Sequence, residues 1–329
     1  MKKIVSILAV AAMAASMFAV DVAANAKLTS DLFSYNTGDG AMTVLGGLSN
    51  GADPDLNFAV SGDKAGAGFK IKHGQELFKI SDDEKVNGAD IIAMNIWFKP
   101  TDSLKLSFKE NADNLFADKY NWWNKYNMAS IPGGYGIEYS ANGLTVKLNA
   151  SESVLSKANK DADLAVGKIG AMVVYGADFG KIAVIASNFG GNDWEGLDAM
   201  TFGVGYTNTI AGIDLVADAD VSIKDGLARA QGLVYVGGNA GDLGYALVSR
   251  LRYTEDATSL ALCAKASYKI DAITATAKFE SDDVLADSFA AVVGVDFSGN
   301  VGAASWAVKP NYNFGSKTVA VGFETALSF

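Results

Sequence analysis

From Ile213 to Ile223 the chain alternates with a period of two. Ile213, Leu215, Ala217, Ala219, Val221 and Ile223 fall on one side, and Asp214, Val216, Asp218, Asp220 and Ser222 on the other. Successive side chains of an extended backbone point to opposite faces, so this pattern predicts a strand with one apolar and one largely polar face. Leu144 to Ser151 repeats it, with Leu144, Val146 and Leu148 opposing Thr145, Lys147 and Asn149. So does Ile273 to Glu280, where Ile273, Ala275, Ala277 and Phe279 oppose Thr274, Thr276, Lys278 and Glu280. Counting such segments back from the carboxy terminus gives sixteen strands between residue 67 and Phe329. Ala41 to Gly62 predicts two more, with Lys27 to Tyr35 as an extension of the first strand or a plug-like lead.

The connections alternate in length. Tight turns are predicted at Thr101-Asp102, Asn142-Gly143, Phe179-Gly180, Ile210 to Gly212, Gly241-Asp242, Asp271-Ala272 and Gly299-Asn300, with longer polar loops between them. From Gly180 onward the tight turns recur about every 30 residues, which fits two strands of about ten residues and one loop. One rim of tight turns and one of long loops is the plan of an up-and-down antiparallel barrel. The tight rim is assigned to the periplasm, and an even strand count returns both chain ends to it.

The last strand, Thr318 to Phe329, sets Val319, Val321, Phe323, Thr325, Leu327 and Phe329 against Ala320, Gly322, Glu324, Ala326 and Ser328. It resembles the end strand of bacterial outer-membrane β-barrels, whose assembly machinery reads a terminal aromatic as an insertion signal. By that resemblance Phe323, Leu327 and Phe329 form the signal, and outer-membrane lipid and the barrel-assembly machinery are expected partners. The amino terminus supplies a matching export tag: Lys2 and Lys3, an apolar stretch from Ile4 to Val20 broken by Ser6 and Ser16, then small residues. Residues 1–26 therefore read as a signal peptide cut after the Ala24-Asn25-Ala26 site, with cleavage after Ala19 as the alternative. Residues 27–329 form a single transmembrane β-barrel domain of 16–18 strands, in the all-β class. The aromatic residues Tyr245, Tyr253, Phe279, Trp306, Tyr312 and Phe314 suit girdles at the two membrane interfaces.

Composition narrows the alternatives. Half of the residues are hydrophobic and 35 are glycine, yet beyond Ala26 no stretch approaches the roughly 18 apolar residues of a spanning helix. Cys263 is the sole cysteine, which excludes an intrachain disulfide and a cysteine metal cluster. The whole chain carries a net charge of −10, and its surface would repel nucleic acid. No linker or compositional break divides the chain.

Sixteen to eighteen strands enclose an aqueous lumen, whereas eight are filled by their own side chains. Asn111 to Gly134 is the third and longest connection on the loop rim, and it is rich in rings at Phe116, Tyr120, Trp122, Trp123 and Tyr126. So much ring area is unfavourable in water, so the loop is expected to fold against the inner wall and form a constriction with Asp113 and Asp118. In this the chain resembles the general bacterial porins, whose third loop bends inward; Pro132-Gly133-Gly134 resembles part of their turn element, without its Glu and Phe. A homotrimer and passage of small hydrophilic solutes are what that resemblance implies. Alternation places Lys105, Lys109, Lys147, Arg250, Arg252, Lys265, Lys269, Lys278 and Lys309 on the lumen side, with Asp214, Asp218 and Asp220 as inward carboxylates. Charges lining a pore control ion choice, and Asp113 and Asp118 brought opposite Arg250 and Arg252 would set up a transverse field.

Other chemistry ranks lower. His73 shares parity with Phe69 and Ile71, which places it on the lipid side or rim, away from a luminal nucleophile. Cys263 faces inward near Lys265 without a histidine partner. Asp214, Asp218 and Asp220 lie on a strand rather than in the glycine-turned loop that usually gathers a divalent cation, so no metal or cofactor is assigned. Gly203-Val204-Gly205 sits within a strand and lacks the strand-to-helix setting of a nucleotide loop. A sugar path would need aromatic residues down the lumen, whereas the assigned inward positions are mostly charged or hydroxylic. The sequence therefore predicts a non-enzymatic diffusion channel for ions and small solutes; a non-channel structural or surface-adhesion protein is the alternative.

Overall fold

The computed structural model describes residues 19–45, 48–49, 55–72, 90–110, 112–120, 128–151, 155–156, 165–166, 168–189, 200–223 and 227–328. Trp122, Trp123, Tyr126, His73 and Phe329 lie outside them, and for Lys109 and Leu327 only the backbone is described.

Among the described residues, one antiparallel sheet joins twenty strand segments. In chain order the wall is β1 (Ala19–Asn36), β2 (Met42–Val44, Leu48–Ser49 and Asp55–Ser61), β3 (Ala65–Lys72), β4 (Asp90–Thr101), β5 (Leu104–Glu110) and β6 (Gly134–Ala141). It continues through β7 (Leu144–Ala150), β8 (Ile169–Ala177), β9 (Gly180–Phe189), β10 (Met200–Ile210), β11 (Ile213–Ile223) and β12 (Leu227–Ala240). The last six are β13 (Leu243–Thr254), β14 (Thr258–Ile270), β15 (Ile273–Asp283), β16 (Ala290–Val301), β17 (Ala304–Asn313) and β18 (Thr318–Ser328). The three pieces of β2 lie end to end along β1, so twenty segments occupy eighteen positions.

The ladders form a circuit. Phe33, Ser34 and Tyr35 of β1 pair with Val44, Thr43 and Met42 on one edge and with Val321, Ala320 and Val319 of β18 on the other. Backbone groups that would be unsatisfied at a sheet edge are thereby paired, which is the condition for a sheet to stand in lipid.

Eighteen positions match the upper end of the expected count, but by a different route. Ala41 to Gly62 supplies one interrupted strand rather than two, because all its pieces share β1 as neighbour. The segment read as an extension or plug-like lead belongs to a full wall strand. The last tight turn also moves, from Gly299-Asn300 to Gly302-Ala303, since Gly299 and Asn300 still pair with Trp306 and Ser305. Gly302, at φ 59°, supplies the left-handed residue that the turn requires. Two more turns shift by one residue, to Asp102-Ser103 and Asp178-Phe179, whereas at Asn142-Gly143 the expected turn is found, both residues have positive φ and the primed turn matches the strand twist.

Alternation separates the two faces clearly. Val204, Val234 and Leu247 are 49%, 54% and 45% exposed on the outer face, whereas Val216 and Val248 are 1% and 0% exposed on the inner one. Outer rings cluster near the rims, with Tyr312 and Phe314 edge to face at 4.8 Å. On the tight rim Lys64 donates to Asp102 of the neighbouring turn, and this hydrogen bond holds the Asp102 carboxyl below its usual range.

Candidate functional site

The third long connection begins after Glu110 and returns at Gly134, and its described parts are residues 112–120 and 128–133. Its two arms pair with each other, Asp113 with Ile131 and Asn114 with Ser130, so the loop enters as a narrow hairpin. A short 3-10 turn follows at Ala117–Lys119. The loop touches β7, β8, β9, β11 and β12. A short segment reaches so many adjacent strands of a ring only from the concave side. The loop therefore lies within the lumen.

Apolar burial holds it there. Leu115, Ala129 and Ile131 pack with Met172 of β8 and Ala183 and Ile185 of β9. Tyr120 and Met128 join a second cluster with Val216, Leu233, Tyr235, Ala246, Val248, Ala261 and Cys263, and Phe116 packs against both. Leu115, Tyr120 and Ile131 are fully buried, each contributing on the order of 1.5–3 kcal/mol by removal from water.

The wall is shaped to receive the loop. A Cβ on Gly203 would stand 2.8 Å from Ile185, 3.0 Å from Ala129 and 3.0 Å from Leu115. On Gly205 it would stand 2.4 Å from an Asp218 carboxylate oxygen and 3.0 Å from the Phe116 ring. These glycines are absent side chains where the loop comes close.

Polar ties fix the register. Asp214, Asp218 and Asp220 alternate along β11 with their side chains inward, and each takes a different donor from the loop. Lys119 Nζ donates to Asp214 at 3.0 Å, the Tyr120 hydroxyl to Asp218 at 2.5 Å, and the Ala129 backbone N–H to Asp220 at 2.8 Å. Asp220 also accepts from Gln231 at 2.9 Å and pairs with Arg229 at 3.3 Å. At the loop's entrance Lys147 donates to Asp113 at 2.5 Å and lies 3.5 Å from Glu138, while Asn149 donates to the Pro132 carbonyl at 3.1 Å. The three aspartates read from sequence as solvated lumen charges are thus occupied by the loop.

The remaining predicted residues divide between two arcs. Arg250 and Arg252 face inward on β13 beside Gln231 and Leu233 of β12, and Arg250 lies within electrostatic reach of Arg229, Asp220 and Asp282. Arg229 was missed in the sequence because Leu227 to Gln231 lies just before the clean alternation of β12. Asp113 is engaged by Lys147, and Asp118 is exposed on the 3-10 turn. Lys265 and Lys269 share the inward face of β14 with the buried Cys263, and Lys105 stands opposite Glu138. On the uncovered arc, Lys278 pairs with Glu280 at 2.8 Å and Lys309 with Glu324 at 2.7 Å. The inner wall therefore carries carboxylates beside several of its cations and is less basic than the sequence suggested.

Solved structures share this architecture. A double mutant of Rh. blastica porin is similar at 14% identity with a TM-score of 0.53, over 94% of this chain and 100% of that one. A triple mutant of Rhodopseudomonas blastica porin gives 13% identity and a TM-score of 0.52 over the same shares. The fold is that of an outer-membrane porin barrel. No family model and no curated protein sequence matches the chain. What this chain shares with those proteins is therefore its ring of strands, and the residues inside it must be read on their own chemistry.

Proposed function

We propose that this chain is an outer-membrane diffusion porin, through which ions and small hydrophilic solutes pass passively. Export by the amino-terminal signal, insertion by the barrel-assembly machinery and assembly as a homotrimer belong to the same reading. The observation that carries it is the asymmetric occupation of the ring. The third loop docks against β7 to β14, while β15 to β18 and β5 and β6 present Thr, Ser, Lys and Glu to the space beside it. Such an arrangement narrows an aqueous lumen without filling it.

Lys105, Lys109, Lys147, Lys265, Lys269, Lys278 and Lys309, with Arg250 and Arg252, line the path and set its ion preference together with their carboxylate neighbours. Asp113 and Asp118 contribute the loop's charge. Trp122, Trp123 and Tyr126 complete the constriction, and Phe323, Leu327 and Phe329 serve insertion. No residue set is assigned to catalysis. The test is planar-bilayer recording of the refolded protein under a salt gradient. Stepwise, salt-dependent currents with a reproducible reversal potential are expected; a folded, detergent-soluble barrel that stays silent across repeated insertions overturns the reading.

A further inference from the structure

The strand that completes the ring starts before the site at which the export signal was expected to end. β1 is one unbroken strand from Ala19 to Asn36, and its first residues pair one for one with β2, from Ala19↔Ser61 to Asn25↔Asp55. Those seven residues supply every β1 partner that Asp55–Ser61 has. Cleavage after Ala26 would strip that edge of β2 bare for its whole length beside the tight rim. An unpaired strand edge at membrane depth leaves backbone donors and acceptors with neither water nor protein to bond.

The rest of the ring gives an independent measure of where β1 must begin. At five places the first residue of a strand leaving a tight turn stands opposite a residue two before the end of the neighbouring strand. Leu104 faces Tyr139 where β6 ends at Ala141, Ile213 faces Gly238 where β12 ends at Ala240, and Ile273 faces Gly299 where β16 ends at Val301. At Ala65, opposite Phe98, the step is three residues and at Ala304, opposite Leu327, it is one; the recurring step of two is the stagger of a tilted barrel. Applied to β2, which ends at Ser61, it puts the partner of β1's first rim residue at Ala59. Ala59 pairs with Asp21. A strand beginning at Lys27 would fall six residues short of that rim.

The sequence has the same boundary written in it. From Val20 the chain alternates Val20, Val22, Ala24, Ala26 and Leu28 against Asp21, Ala23, Asn25, Lys27 and Thr29. That two-sided pattern is the signature of a barrel strand, whereas the stretch from Ile4 to Ala19 is apolar on all sides save at Ser6 and Ser16. The register continues it onto β18, with Ala26 opposite Leu327 and Leu28 opposite Thr325.

We infer that signal processing cuts after Ala19, and that Val20 to Ala26 are the opening residues of the mature barrel rather than the tail of its export signal. This rests on the outer-membrane part of the proposed function but not on the pore. The full-length precursor is expressed with its own leader, and the protein recovered from the outer membrane is submitted to amino-terminal sequencing and intact mass. A mature chain beginning at Val20 is the expected result, and one beginning at Lys27 overturns the inference. A second measurement compares refolded chains beginning at Val20 and at Lys27. The longer form is expected to give a several-fold larger heat-modifiable, protease-resistant fraction, and equal fractions overturn the claim that the ring needs these residues. Bilayer currents from the same preparations report the pore separately, so a silent barrel that starts at Val20 would sink the channel and leave the processing site standing.

Discussion

Two arcs of one wall differ in what they show to the inside. On β9 and on β12 to β14 the inward positions include Ile185, Leu233, Val248 and Cys263, all buried, while on β15 and β17 they include Thr276, Lys278, Ser305 and Lys309. Their outward faces are alike, carrying Leu247 and Leu251 on the first arc and Phe297 on the second. Lipid contact therefore does not explain the difference. The inward face follows its own solvent: protein where the third loop lies, water where it does not. A barrel strand that is apolar on both faces marks a surface covered from within.

The sharpest way to break this comparison is to remove the cover. Deleting Tyr120 to Tyr126 takes away a fully buried ring and the Asp218 tie, yet touches none of the ladders that form the circuit. Single-channel conductance is expected to rise by about twofold or more, because the narrowest part of a wide barrel sets its resistance. An unchanged current would show that the loop does not lie in the conducting path.

Next in size is a charge placed on each arc. Val248→Asp puts a carboxylate between the wall and the loop, and an unpaired buried charge costs about 3–5 kcal/mol. Thr276→Asp puts the same group on the uncovered arc, where substitutions typically stay within about 0.5 kcal/mol. Denaturant unfolding of the two variants in detergent is expected to separate them widely. Equal destabilisation would erase the distinction between the arcs.

How far the sequence carried this picture follows from the same contrast. Period-two alternation is a local signal, so β7, β11 and β15 were legible residue by residue, and the fifteen strands from β4 to β18 were placed within a few residues; the far end of the strand read from residue 67 lies outside the described residues. The docking face was not, because it depends on a loop distant in sequence. Asp214, Asp218 and Asp220 looked like pore lining since a strand presents them to the lumen, and nothing local tells a carboxylate facing water from one facing Tyr120. Two signals were present nonetheless. Val216 interrupts the acidic face of β11, and Gly203 and Gly205 lie on the inward side of β10, where side chains of ordinary size would block the loop. Gly203-Val204-Gly205 lacks the strand-to-helix setting of a nucleotide loop, and the physical role of its glycines is clearance.

A smaller effect sharpens the role of the ties. Asp218→Asn keeps the volume but exchanges the carboxyl group that accepts the Tyr120 hydroxyl at 2.5 Å. A hydrogen bond contributes about 0.5–1.5 kcal/mol, while the buried apolar contacts stay in place. The loop is therefore expected to remain docked but open more often, seen as added current noise and faster proteolysis after Lys119. Noise and cleavage equal to those of the unchanged protein would assign loop retention to apolar packing alone.

The smallest expected effects concern ion choice, and they rank by the number of cations removed. Arg250 and Arg252 stand together on the inward face of β13, so replacing both with Ser is expected to move the reversal potential toward cations. Lys309 is a single cation. Its ammonium lies 2.7 Å from Glu324, with 38% and 26% of the two side chains exposed, so a passing ion meets mainly a dipole. Lys309→Gln frees the carboxylate and should shift the potential in the same direction but by less than the arginine pair. The double change Lys309→Gln with Glu324→Gln should return it close to its starting value, because the pair contributes little net charge to the lumen. If the double variant instead shifts as far as the single one, Glu324 does not screen Lys309, and the uncovered arc acts through its separate cations rather than through balanced pairs.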